Sequence, residues 1–131
     1  DVVNTVKDCF EKAGNSARVE IGVCLQAKPT DTSYAALTDI ARVTVDRIDV
    51  TEARGPIYAR ARCEALMTDA DYFLQIDCHS RFFPGWDEIL IQEFGKASEL
   101  NDKAVLSHYP MNLKNMTSSD HLDRIGHVTR Y

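Results

Sequence analysis

An aspartate and a histidine two residues apart, Asp77 and His79, are the side chains of this sequence best suited to chemistry. They sit in the segment YFLQIDCHSRFFPGW, residues 72–86. Tyr72, Phe73, Leu74 and Ile76 read as a short apolar strand that stops at Asp77. If the chain stays extended there, Asp77 and His79 point to one face and Cys78 to the other. A carboxylate and an imidazole then converge at the carboxyl end of a buried strand, the edge at which open α/β sheets bind ligands. That donor pair suits a divalent metal such as Mn²⁺, with the remaining positions left for water or phosphate oxygens. A strand also ends in a charged residue simply because it reaches water. Taken alone, such a pair is more often structural than functional.

The elements that must position the pair can be read along the chain. Val2, Val3, Val6, Phe10 and Ala13 recur at helical spacing, and Gly14-Asn15 supplies a stop. Val19, Ile21, Val23 and Leu25 alternate, which predicts a strand over residues 19–26 with Gly22 and Cys24 on a small-residue face. Residues 27–33 form a polar loop, and a short helix is expected over 35–41. Val43, Val45, Ile48 and Val50 mark a second strand. Gly55 then caps a helix with Pro56 at its first position, and Ile57, Ala61, Ala65 and Leu66 give it an apolar stripe. After the residue 72–76 strand, Pro84-Gly85 turns into an amphipathic helix marked by Trp86, Ile89, Leu90, Phe94 and Ala97. Ala104, Val105 and Leu106 read as a last strand ending in Ser107-His108-Tyr109-Pro110. The alternation predicts an α/β fold with a mostly parallel sheet and flanking helices.

Composition excludes several functions. The 131 residues carry a formal net charge of −5, which argues against broad nucleic-acid affinity. No apolar run approaches membrane-spanning length, and nothing at the start resembles a signal peptide. Cys9, Cys24, Cys63 and Cys78 form no Cys-x-x-Cys pair, so they read as buried free thiols of a reducing compartment rather than a zinc site. The one local basic cluster is Arg54, Arg60 and Arg62.

Four pieces follow one another in a definite order: EARGPIYARAR, the strand with Asp77-Cys78-His79, the aromatic turn RFFPGW, and a strand ending in SHYP. This order resembles the cytoplasmic GlcNAc-transferases that modify a hydroxyproline, together with their bacterial relatives. More distantly it is similar to the polypeptide GalNAc-transferases. The resemblance spans residues 19–110 and is most specific over 52–86. It implies a GT-A-type three-layer sandwich, a cytoplasmic location, and metal-dependent transfer of GlcNAc from UDP-GlcNAc to a hydroxyl on a protein or glycan. It also implies retention of anomeric configuration.

Carried onto this chain, the resemblance makes Asp77 and His79 the metal pair bridging the phosphates of a UDP-sugar. Arg54, just before a helix start that favours anions, would contact the nucleotide. Arg60 would brace Asp77 or a phosphate, and Arg62 reads as a solvated residue of another face. Phe83 and Trp86 read as packing residues, and His108 as a loop histidine. No general base can be named. The family also has a first strand with a Ser-Tyr-Arg-Asp-like segment and an acceptor-binding portion, neither of which is found here. Residues 1–110 are therefore expected to be an incomplete nucleotide-sugar core with weak or no turnover, and 111–131 a loop or the start of the acceptor side. His121 or His127 would be the remaining candidates for a third metal ligand. An exposed sheet edge, a route to self-association, is expected as well. The reading from a different class is a non-catalytic nucleotide-sugar or protein-binding module with a degenerate site. Metal-dependent hydrolysis lacks further carboxylates near Asp77.

Overall fold

The computed structural model describes residues 1–67 and 69–107. The first apolar period forms helix α1 (Val2–Lys12), which turns Val6 and Cys9 inward together with the hydroxyl of Thr5. Strands β1 (Ile21–Gln26) and β2 (Val43–Ile48) pair in parallel, with Ile21 opposite Val43 and Gln26 opposite Ile48. Between them, residues Ala35–Leu37 make a single 3₁₀ turn that buries Leu37 completely. Val6, Val23, Leu25, Ala27 and Leu37 form one core, so α1 covers the Val23/Leu25 face of β1. Arg47 ties down the polar loop by donating to the carbonyls of Lys28 and Asp31 at 2.6 and 2.7 Å.

Helix α2 (Pro56–Ala65) covers the opposite face of β1. Its closest approach is at Gly22, where an added Cβ would lie 3.2 Å from Leu66 Cβ. The small face of β1 thus has a use: it lets a helix lie almost on the backbone. Of the apolar stripe expected for α2, Leu66 packs, whereas Ala61 and Ala65 are exposed and Ile57 is 81 % exposed. The packed face carries Cys63 and Leu66, with Arg62 paired to the sheet. A helix between a strand and solvent buries whichever face meets the strand, and here small size at Gly22 decided that face over hydrophobicity.

The sheet is narrower than the sequence predicts. Residues 72–76 and 104–106 join no ladder among the described residues. Tyr72, Phe73, Leu74 and Ile76 are all exposed, which includes successive residues and therefore both faces of the run. A strand exists only where neighbouring backbone satisfies its amides and carbonyls, and an apolar pattern does not supply that neighbour. Tyr72 is held instead by an edge-on contact with Phe94, ring centroids 5.6 Å apart. Phe94 belongs to helix α3 (Trp86–Leu100). His108, His121, His127 and the 111–131 segment lie outside the described residues.

Residues 78–87 are fastened to α1. Thr5 Oγ1 donates to the carbonyl of Cys78 at 2.8 Å, with the Ser80 carbonyl a second acceptor at 3.1 Å. The same hydroxyl accepts from Arg81 Nη1 at 3.2 Å. Asp8 accepts the Phe82 amide at 2.7 Å, Trp86 Nε1 donates to the Cys9 carbonyl at 3.0 Å, and the Gly85 amide donates to the Lys12 carbonyl at 2.7 Å. Asp87 returns the connection, accepting the amides of Gly14 and Asn15 at 2.6 and 3.0 Å. Phe82 is buried against Trp86, whereas Phe83, expected to pack, is exposed. Trp86 therefore secures α3 to α1 and not to the sheet.

Two predictions follow from this seam. Thr5→Val keeps the shape but removes the donor to the Cys78 and Ser80 carbonyls and the acceptor for Arg81, and should cost about 0.5–1.5 kcal/mol in urea unfolding. Burial pushes the carboxyls of Asp8 and Asp87 up, but their bonds outweigh it. Lys12, the Phe82 amide and nearby Arg81 pull Asp8 below its ordinary value; the amides of Asn15, Gly14 and Glu88 do so for Asp87. A carboxyl depressed in the folded state stabilises fully above its unfolded pKa, near 3.9, and loses that contribution as pH falls through the folded value. The urea midpoint should therefore drop below about pH 4, and Asp87→Asn should flatten that drop while lowering the midpoint at neutral pH.

Candidate functional site

Helix α2 begins at a backbone position that only glycine occupies comfortably. Gly55 has φ 83° and ψ −178°, and a side chain there would meet no atom within 4 Å. Glycine is needed for the dihedral and not for space. Pro56 follows with its fixed φ, so the amides of Ile57 and Tyr58 find no carbonyl within the helix. Arg54 stands just before this turn, exposed, with its guanidinium 5.4 Å from the centre of the Tyr58 ring.

Arg60 and Arg62 lie on the same helix but do different things. Arg60 reaches residues 77–79: its Nη2 is 3.4 Å from Asp77 Oδ1, and both side chains are about half exposed (52 % and 54 %). Arg62, expected to be solvated, is instead half-buried in a two-pronged bond to Asp46 of β2, Nε to Oδ2 at 2.5 Å and Nη2 to Oδ1 at 2.7 Å. It also donates to Tyr58 Oη at 3.2 Å and lies 5.7 Å from that ring's centre. Arg62 holds the Asp46 carboxyl below its ordinary range, and the carboxylate in turn raises the guanidinium. Two residues of separation rotate a side chain by more than half a turn around a helix, which separates the two arginines.

Tyr58 was not singled out in the sequence, although it touches both Arg54 and Arg62. The signal was present as two successive i,i+4 spacings, 54 to 58 and 58 to 62.

The chain does not stay extended through the Asp-x-His segment. Cys78 and His79 form a turn, closed by Ser80 Oγ donating to the Asp77 carbonyl at 2.8 Å. The alternation argument for a shared face therefore no longer applies, and the proximity of Asp77 and His79 rests on the turn. Asp77, Cys78 and His79 are all exposed, and His79 Nδ1 is 3.9 Å from Cys78 Sγ. The structure thus brings Arg60 to Asp77, leaves Arg54 with Tyr58, and sets His79 beside Cys78. Among the described residues no group of three or more His, Cys, Asp or Glu side chains is arranged to hold a metal ion. An exposed carboxylate and imidazole two residues apart are nonetheless a chemically suitable pair for a divalent ion that takes its other ligands from phosphate and water.

The family model described as Glycosyltransferase (GlcNAc) matches residues 35–128. That interval is well over half of the chain and contains Arg54, Arg60, Asp77 and His79. The chain belongs to this glycosyltransferase family. No curated protein and no solved structure matches it. Family membership brings a nucleotide-sugar donor and an acceptor as the expected partners. No helix among the described residues of this glycosyltransferase is long and apolar enough to cross a membrane.

The different duties of the two α2 arginines are separable by mutation. Arg62→Met should lower the urea midpoint, because it leaves the half-buried Asp46 carboxylate without its partner. Arg60→Met should change stability by no more than about 0.5 kcal/mol, since an exposed ion pair contributes little.

Proposed function

We propose that this glycosyltransferase transfers GlcNAc from UDP-GlcNAc to a hydroxyl of a protein or glycan, in a metal-dependent reaction on a GT-A-type sheet. The observation that carries the reading is the Arg60–Asp77 pair, which joins the middle of α2 to the Asp-x-His turn inside the family-matched region. Asp77 and His79 would hold a divalent cation, Mn²⁺ by preference. Such an ion, when bound, stabilises the negative charge that develops on a diphosphate leaving group.

The chain's own residues have defined tasks in this reading. Arg54 and the free amides at the start of α2 present positive potential to the nucleotide. Tyr58, lying against Arg54, limits where that guanidinium can go. Arg60 holds the Asp77 carboxylate in place until a phosphate competes for it. The turn closed by Ser80 keeps Asp77 and His79 near one another without a sheet ladder beneath them. The cytoplasmic location and the division into a nucleotide-sugar core over 1–110 and an acceptor side beyond it belong to the same proposal.

Titration calorimetry of UDP with and without Mn²⁺, on this chain and on Asp77→Ala, tests the reading. Mn²⁺ should tighten UDP binding to the unmodified chain. Asp77→Ala should lose at least about tenfold of that affinity, roughly 1.4 kcal/mol. Equal UDP affinity in all conditions would remove the role given to Asp77. Metal-dependent binding without release of UDP from UDP-GlcNAc, even with acceptor supplied, would favour a binding module over an enzyme.

A further inference from the structure

One thiol meets the backbone beside another where α2 crosses β1, Cys63 Sγ lying against the Cys24 amide. Gly22 and Cys24 share one face of the strand, and Cys63 and Leu66 share one face of the helix. The two elements touch at both rungs. A Cβ on Gly22 would lie 3.2 Å from Leu66 Cβ and 3.5 Å from the Cys63 carbonyl oxygen, and Cys63 Sγ lies 3.2 Å from the Cys24 amide nitrogen. The amides of Ile21 and Ala27 point toward β2, bonding to Arg42 and Ile48. By strand alternation the Cys24 amide points away from β2, so the Cys63 sulfur sits against the outer edge of β1.

A cysteine sulfur stays within about 4 Å of its own amide nitrogen in any rotamer, so the two sulfurs are at most about 7 Å apart. Backbones in such close contact suit the Cα separation of about 4.4–6.8 Å that a disulfide requires. Both residues are half-buried, and neither lies in the Asp-x-His turn.

We infer that Cys24 and Cys63 are a disulfide-forming pair that fastens α2 to β1. With oxidised glutathione as the oxidant, one protein thiolate attacks the glutathione disulfide and releases one glutathione thiolate, which takes up a proton. The second protein thiolate then displaces the other glutathione. Two protein thiols lose two electrons and two protons, and one oxidised glutathione becomes two reduced ones. Burial raises the Cys24 thiol, with Cys63 and Asp46 adding to the effect and Arg62 opposing it. Closure should therefore be slow at neutral pH and faster in alkali. Because α2 also carries Arg60, the bond would fix the helix that braces Asp77, whatever the catalytic role of that aspartate.

The other two cysteines serve as internal controls. Cys9 is buried, its thiol pushed up to about 12 by burial, with Asp8 and Asp87 contributing. Cys78 is exposed and should accept glutathione without closing a ring.

The test treats the fully reduced, folded chain with oxidised glutathione, blocks remaining thiols with N-ethylmaleimide, and maps peptides without reduction. The expected result is a Cys24–Cys63 linked peptide pair in a monomer, formed faster as pH rises. In Cys78→Ser the same link should persist, with an intact mass about 2 Da below the reduced protein. Its melting temperature should rise on oxidation and fall back after dithiothreitol. Cys24 and Cys63 both recovered as maleimide adducts, while Cys78 carries glutathione, would overturn the inference. So would Cys63 bonded to Cys9, to Cys78 or to another chain.

Discussion

The candidate site depends on one buried hydroxyl. Residues 77–79 join no sheet ladder among the described residues, and in the proposed reading they hold a carboxylate and an imidazole in a fixed relation. Thr5 does this from α1, capping the Cys78 and Ser80 carbonyls on either side of His79 while accepting from Arg81. A single Oγ supplies one proton and two lone pairs; the two carbonyls share the proton and Arg81 takes one lone pair. Its burial makes the geometry strict, because a buried hydroxyl that loses its partners is costly. The Asp8, Lys12 and Cys9 contacts extend the same seam to Trp86, and Asp87 closes it onto Gly14 and Asn15. The first helix of the chain is thus the scaffold of a loop more than seventy residues away.

On the other side of the sheet, α2 is held by its least helical-looking choices. Gly22 lets the helix approach, Cys63 takes the Cys24 amide, and Arg62 ties down Asp46. These contacts set the rotation of α2 and hence the direction of Arg60. An arginine cannot serve both faces, so anchoring Arg62 in the sheet leaves Arg60 directed to Asp77. The anchor is strong where solvent is partly excluded and the bond is two-pronged; the Arg60–Asp77 pair is weak where both partners meet water.

Local pattern in the sequence carried the elements whose partners are also local. The α1 period, the β1 and β2 alternation, the Gly55-Pro56 helix start and the Pro84-Gly85 turn all appear in the structure where the residues placed them. The family resemblance at residues 52–86 falls within the matched interval. What pattern could not carry was long-range. The run at Tyr72 has a strand's composition but no ladder partner among the described residues. Ile57 has a core residue's chemistry but faces outward. Thr5, an unremarked polar residue of an amphipathic helix, turned out to be buried because its partners lie at 78–81. The turn at Cys78-His79 was hidden for a local reason: period-two reasoning assumes an extended chain, and Ser80 bends it.

The weakness of the Arg60–Asp77 pair bears on how such a site would work. At 3.4 Å and about half exposed, the two charges are strongly screened by water, and their attraction is on the order of 1 kcal/mol or less. That is enough to orient a carboxylate in the free protein. In the proposed reading it is too little to resist a diphosphate, which would offer Arg60 more negative charge and would offer a cation held at Asp77 further oxygen ligands. A half-buried, two-pronged pair such as Arg62–Asp46 would hold its arginine against the same competitor. The division of the two arginines therefore places the exchangeable contact at the Asp-x-His turn and the permanent one in the sheet, as an anion-binding site on a fixed helix requires.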